Sequence, residues 1–266
     1  MYRMAQKIKR SLGKQPLQEV WFAFQELQPW VEQLEGQSVA SVETRGKALL
    51  IVFQKGQVIY THNQLYGRWL FSAPDRRPDT GRQLRLALST SNRSALLYSA
   101  SDIEVLEPEK LEQHPFIARV GLDLLSSGAD WQEISHWIAQ DRFRGRQLGH
   151  LLLDQSFLAG VGNYLRSEIL FYAGLRPDRK IKQLNDQAID HLADACHEMM
   201  WRSVKTGGVT NDAERATSLK HAGWKRRDYR HYVFSRAGQA CFACDTPIQK
   251  TSVSSRRLYY CPNCQV

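Results

Sequence analysis

Cys241-x2-Cys244 and Cys261-x2-Cys264 stand 16 residues apart within the last 26 residues of the chain. Two thiolates at that spacing reach one face of a metal ion, and a hairpin between the pairs carries the second pair to the other face. A closed set of four sulfur ligands selects Zn²⁺ and leaves no coordination position open for a reaction. Two disulfides are the competing arrangement. No secretory signal is visible, and the fifth cysteine, Cys196, falls on the apolar side of a helical pattern. The pairs therefore read as ligands of one structural zinc, and any chemistry must lie elsewhere.

The 266 residues suffice for two domains and a small appendage, and with 42% hydrophobic residues they can bury sizeable cores. No apolar run approaches the length of a membrane span, so the expectation is a cytoplasmic protein with no membrane partner. The formal net charge of +9 is unevenly placed: residues 201–266 hold twelve Lys/Arg against four Asp/Glu. Such a basic quarter attracts polyanions, and counterion release from nucleic acid would drive binding. A membrane surface fits less well, because these cations mix with Tyr, Trp and His rather than line one face of a helix. A solvated basic face is the bland alternative.

Met4, Ala5, Ile8 and Leu12 recur on one stripe and predict a helix over 2–13 that stops at Gly13 and starts with no capping residue. Short apolar runs then predict eight strands, at 20–24, 39–43, 48–53, 57–61, 68–72, 84–88, 95–98 and 103–106, a β-sandwich or barrel, with a loop over 73–82. Pro115, Gly121 and Gly128 punctuate an expected linker over 113–128. Asp130 and Glu133 have the spacing of a capping box, and Trp131, Ile134, Trp137 and Ile138 make an apolar helical face. Further helices are expected at 146–157, 164–172 and 186–204, followed by a mobile polar stretch over 207–227 and the cysteine hairpin.

Leu158-Ala159-Gly160-Val161-Gly162-Asn163 joins two of these helices. Its glycines permit close approach of a ligand, and the amides opening the second helix suit a phosphate, although an ordinary tight turn explains the segment equally well.

The two-turn link between helices, the four-cysteine hairpin and the β-rich first half together resemble the formamidopyrimidine-DNA glycosylase family. Val20-Trp21-Phe22-Ala23-Phe24, Glu43-Thr44-Arg45-Gly46-Lys47-Ala48-Leu49, His62-Asn63-Gln64-Leu65-Tyr66-Gly67 and Leu96-Leu97-Tyr98-Ser99-Ala100-Ser101-Asp102 are similar to its endonuclease VIII branch. The likeness runs along the whole chain and is thinnest over 207–229. It implies an α+β protein: an N-terminal helix and eight-stranded β-sandwich (1–112), the linker (113–128), a helix-two-turn-helix domain (129–228) and a zinc-finger β-hairpin (229–266). It implies a monomer that binds double-stranded DNA containing damaged bases or abasic sites, excises oxidised pyrimidines and cuts the backbone by β,δ-elimination. One structural zinc is the implied cofactor.

By the same resemblance, Lys47 is similar to the lysine that assists β-elimination, and Gln64, Leu65 and Tyr66 match the residues inserted into the duplex. An amide, an aliphatic wedge and a ring can fill the gap left by a flipped base. Arg119 resembles a DNA-contacting hinge arginine, Gly162 and Asn163 fall at the phosphate-binding turn, and Arg256 matches the hairpin arginine that contacts phosphates and promotes δ-elimination. Without the resemblance, Lys47 reads as a solvated turn lysine, and Leu65 and Tyr66 as core residues at a strand end. Arg257 occupies a position where relatives carry a smaller or cyclic residue.

The family places its nucleophile on an N-terminal Pro-Glu-Gly-Pro-Glu sequence, where the proline amine attacks C1′ and the glutamate handles protons. No such sequence occurs here. Met1-Tyr2-Arg3 aligns with the helix that follows the motif, so about five residues are expected to be absent. The candidate explanations are a start assigned too late, a shortened chain, and a protein that binds damaged DNA without cutting it. The amine of Met1 would be displaced by more than one turn at about 1.5 Å per residue. The chain as written is expected to bind but to cleave poorly. A zinc-ribbon nucleic-acid protein with unrelated chemistry is the alternative outside the family. It leaves the Gln64-Leu65-Tyr66 segment unexplained.

Overall fold

Ala5, Ile8 and Leu12 turn their common face inward and the helix they make, α1 (Tyr2–Leu12), ends at Gly13, where φ is 60°. Met1 stands at its N-cap without a side-chain bond, and the Met1 carbonyl accepts the Met4 and Ala5 amides at 2.7 and 3.0 Å. This computed structural model describes residues 1–125 and 129–266. The chain divides into two compact units, Met1–Arg119 and Val120–Val266. The final residues of the expected linker, 126–128, lie outside the described residues.

In the first unit, the eight apolar runs become β1 (Glu19–Phe22), β2 (Val39–Arg45), β3 (Ala48–Phe53), β4 (Val58–His62), β5 (Arg68–Ser72), β6 (Leu84–Ser89), β7 (Ser94–Tyr98) and β8 (Asp102–Leu106). They form two antiparallel four-stranded sheets, in the orders β1-β6-β7-β5 and β2-β3-β4-β8. Phe22, Trp69, Leu88 and Leu97 from one sheet join Val42, Ile51, Ile59 and Val105 from the other in a single buried cluster that includes Ile8 and Leu12 of α1. Short, largely continuous apolar runs such as Ala48–Phe53 and Ser94–Tyr98, separated by turn residues, explain why the strand positions were readable. A 3-10 turn at Gln25–Trp30 and the single turn α2 (Val31–Leu34) lie where no element was expected, being too short to show a helical period.

The second unit contains α3 (Trp131–Ile138), α4 (Leu148–Leu151), α5 (Asn163–Tyr172), α6 (Asp186–Thr206), α7 (Ala213–His221) and α8 (Arg226–Tyr229). A short parallel pair, β9 (Leu122–Asp123) and β10 (Leu158–Ala159), and the hairpin β11 (Gln249–Val253) and β12 (Arg256–Tyr260) complete it. Ile134 and Ile138, Leu165 and Ile169, and Leu192, Cys196 and Met199 bring α3, α5 and α6 into one core, to which β12 contributes Leu258. The Asp130 carboxylate accepts the Glu133 amide at 2.8 Å, as the cap spacing predicts.

Two expectations are corrected. Residues 146–157 are not one helix, because only α4 is helical there. Asp154 accepts the Ser156 amide and hydroxyl at 2.9 and 2.7 Å, and Gln155 donates to the Leu153 and Val161 carbonyls, so side chains compete for the backbone and turn it. Residues 207–227, where no helix was expected, hold α7, which Asp212 caps by accepting the Arg215 amide at 2.9 Å, and the start of α8. Among the described residues no helix is long and apolar enough to cross a membrane.

Candidate nucleic-acid interface and metal centre

Cys241, Cys244, Cys261 and Cys264 bring their sulfurs within 4.8 Å of one another, and all four are unbridged. Three Sγ···Sγ distances are 3.3, 3.5 and 3.8 Å. These exceed a disulfide bond and rise to the ~3.8 Å edge of a tetrahedron with metal–sulfur bonds near 2.3 Å. Backbone amides of Ala243 and Cys264 point at the sulfurs of Cys241 and Cys261 at 3.4 Å, as donors to thiolates do. The four residues therefore fit a single metal ion. Cys196 lies apart in the helical core, where burial pushes its thiol up.

The hairpin tip turns through Ser254 and Ser255, with φ of 54° and 56°, between the paired residues Val253 and Arg256. Two consecutive left-handed residues make the tight turn whose twist suits a hairpin. Arg256 leaves this turn exposed. Its carbonyl is held from behind by Arg166, a guanidinium with no solvent exposure that sequence reading missed. Arg166 donates to the Gly149 carbonyl at 2.7 Å, to Asn163 Oδ1 at 2.8 Å and to the carbonyls of Val253, Arg256 and Arg257 at 3.3–3.4 Å. Burial, and then the positive charge of Arg256, hold its pKa down to about 10, so it stays cationic at neutral pH. Asn163 and Arg256 thus meet around one guanidinium. The i, i+3 spacing of Asn163 and Arg166 on α5 was the signal available in sequence.

Gly162 is the N-cap residue of α5, and a Cβ there would meet nothing within 4 Å. The first intrahelical bond runs from Arg166 N to Gly162 O at 2.9 Å, so the amides of Asn163, Tyr164 and Leu165 precede the helical ladder. One turn later Glu168 is wholly buried. Its carboxylate accepts the Thr210 hydroxyl at 2.6 Å and the amides of Tyr232, Val233 and Phe234 at 2.7, 2.9 and 2.9 Å. Burial raises its pKa and these four donors oppose the rise. Glu168 thereby fixes the segment that leads from α8 to the cysteines.

In the first unit, Arg45 and Ala48 pair across Gly46-Lys47, with Gly46 at φ 58°, a conformation that favours glycine in a two-residue hairpin. Half-buried Lys47 is the residue before Ala48, which pairs with His62, and His62 pairs with Asp102. Lys47 and Gln64 therefore gather at one end of the second sheet. Burial first, and then the charge of Lys47, hold His62 below the usual imidazole range, with Asp102 opposing. Beyond His62 the chain leaves the sheet, and Leu65 and Tyr66 stand 73% and 71% exposed. They are not core residues at a strand end. Arg119 closes the unit in a 3-10 turn (Ile117–Arg119), exposed, with Nε donating to the Pro115 carbonyl at 2.7 Å.

Residues 2–101 match the Formamidopyrimidine-DNA glycosylase N-terminal domain, and residues 120–214 match the Formamidopyrimidine-DNA glycosylase H2TH domain. The chain is 44% identical over 263 residues to "Endonuclease 8" of Escherichia coli K12, covering 99% of this chain and 97% of that protein. The chain belongs to the formamidopyrimidine-DNA glycosylase family. A second family member, "Endonuclease 8" of Klebsiella pneumoniae, is 43% identical over the same shares of the two chains. The family fold is also that of the Lactococcus lactis formamidopyrimidine-DNA glycosylase solved with a FAPY-dG-containing DNA. That structure matches at a TM-score of 0.80 and 18% identity, over 99% of this chain and 97% of that one. The two family domains fall one in each compact unit, the second beginning at Val120.

Proposed function

We propose that this chain recognises damaged double-stranded DNA and acts in base excision as a DNA glycosylase and abasic-site lyase on oxidised pyrimidines. The observation that carries the reading is the 44% identity to Endonuclease 8 across 99% of the chain. The exposure of Leu65 and Tyr66 beyond β4 supports it, since a wedge must be solvent-facing before it can enter a base stack. In this reading Gln64, Leu65 and Tyr66 fill the space of an extruded base, and Lys47 assists elimination at the abasic sugar. Asn163, the α5 amides opened by Gly162, Arg119 and Arg256 take phosphates, with Arg256 also promoting the second elimination.

The four cysteines hold Zn²⁺ in this reading. A bound ion would supply no open position for chemistry, and Cys241, Cys244, Cys261 and Cys264 would tie β11 and β12 to the preceding segment, so that Arg256 presents a cation on a rigid turn.

A zinc-dependent, non-catalytic binder of damaged DNA is the second reading. Borohydride trapping separates them. The zinc-loaded protein is incubated with duplex carrying an abasic site, and a covalent adduct at high yield supports the lyase. Retarded duplex without adduct supports the binder. If neither abasic nor thymine-glycol duplex is retained over undamaged duplex, the functional reading is wrong.

A further inference from the structure

His62 ends β4 and begins the loop that carries Leu65 and Tyr66. Its Nδ1 accepts the backbone N–H of Gln64 at 3.3 Å. Gln64 needs such a hold, because its φ of 47° is a left-handed conformation that a non-glycine residue adopts only at a cost. The rest of the loop is closed from other sides. Gly67 donates to the Asn63 carbonyl at 2.8 Å, and a Cβ on Gly67 would lie 2.7 Å from that oxygen. Arg82 Nη1 donates to the Tyr66 carbonyl at 2.8 Å, and the Ser101 hydroxyl donates to Gln64 Oε1 at 3.2 Å. Only His62 engages the Gln64 amide itself, among the described bonds.

We propose that His62 is a positioning residue. Its unprotonated Nδ1 holds the Gln64 amide in the left-handed turn, so that Leu65 and Tyr66 are set as a wedge before DNA arrives. The inference rests on the wedge reading given under Proposed function. A ring nitrogen that accepts an N–H carries no proton, so the neutral imidazole has its proton on Nε2. The ring is kept in place by Phe116, whose centroid is 5.2 Å away. The charged groups facing it are Lys47 from the β2–β3 turn and Asp102 from β8. Burial and Lys47 favour the neutral ring, which preserves the acceptor. Protonation would place a donor against the Gln64 donor and release the turn. A loop already in its inserted shape saves the ordering cost at the moment of binding.

The test uses the zinc-loaded 266-residue chain and two variants. His62→Phe keeps a ring against Phe116 and deletes the acceptor, whereas His62→Asn offers an oxygen close to the Nδ1 position. Nitrogen NMR of the unmodified protein should show His62 protonated at Nε2 only. Exchange of the Gln64 amide should accelerate about fivefold in His62→Phe, the effect of one ordinary hydrogen bond, and return toward the parent rate in His62→Asn. Wedge insertion is read from 2-aminopurine fluorescence beside a tetrahydrofuran abasic site. It should slow about fivefold in His62→Phe and recover in His62→Asn, with the initial salt-sensitive capture unchanged. An Nδ1-protonated ring, or an unchanged Gln64 exchange rate in His62→Phe, overturns the proposal. Leu65→Ala is the control that separates the two readings. If it slows insertion and His62→Phe does not, His62 does not position the wedge. If neither variant slows insertion, the wedge reading itself has failed and the proposal goes with it.

Discussion

Replacing Arg166 by methionine removes a guanidinium from a site that solvent does not reach, while keeping much of its unbranched volume. The variant loses two short charge-assisted bonds, at 2.7 Å to the Gly149 carbonyl and 2.8 Å to Asn163 Oδ1. It also loses three longer ones to the carbonyls of Val253, Arg256 and Arg257. Hydrogen bonds to a charged group contribute about 1.5–3 kcal/mol each, so the short pair alone represents about 3–6 kcal/mol. Relief of the buried cation's desolvation, the cause of its depressed pKa, offsets part of that. A net loss of about 3 kcal/mol is expected, concentrated where the hairpin meets α5. At tenfold per 1.4 kcal/mol, protection of the β11 and β12 amides should fall about 100-fold. Hydrogen exchange on zinc-loaded protein measures this, with the amides of β3 and β4 as an internal reference. A change below about threefold, or an equal loss in both units, would refute the assignment of Arg166 as the tie between Asn163 and the hairpin tip.

Other perturbations have equally definite outcomes. Glu168→Gln should destabilise the second unit by about 2–4 kcal/mol in urea unfolding, because any orientation of the amide sets its NH₂ against at least one backbone N–H. His231 has its pKa lowered to about 3, by burial first and then by Arg230 and Arg226, from an ordinary value of 6.5. The unfolded chain therefore takes up a proton that the folded one refuses, and stability present above pH 6.5 is lost as pH falls toward 3. His231→Phe should flatten that acid limb by up to about 1.4 kcal/mol per pH unit, read from urea midpoints across the range. Leu65→Ala should leave stability within about 0.5 kcal/mol, since the side chain is 73% exposed, yet reduce binding to abasic duplex in a gel-shift titration. Chelation should abolish zinc content, raise exchange around the cysteines and weaken duplex binding, whereas a metal-free protein that binds unchanged would detach the hairpin from the interface.

The cysteine spacing was legible without any structure, because two Cys-x-x-Cys pairs separated by a hairpin's length have few alternatives to a shared ion. The eight strands of the first unit were legible too, since they are short apolar runs that glycines and polar residues separate. Residues 25–34 escaped because a single helical turn is shorter than the period that would reveal it. Residues 146–157 were misread for a different reason. Their apolar residues suit a helix, but Asp154 and Gln155 use their side chains to bond the local backbone. No helix was read in the polar stretch 207–227 because α7 buries only Ala216, so its caps rather than an apolar stripe define it.

The sequence alone thus determined the four-cysteine cluster, the strand positions and the family, properties written in local spacing and in residue order. Only the tertiary structure decided that Arg166, a cation on an ordinary helix, is buried beneath the hairpin tip and joins Asn163 to the Arg256 backbone. Tertiary structure likewise decided that Glu168 spends its charge on backbone amides, and that His62 faces the Gln64 amide. The physical reason for the two buried charges is the same: each has a role only through its partners, and most of those stand 42 to 91 positions away in the chain. His62 differs, because its partner is only two residues on and the turn at Gln64, not distance, hid the contact.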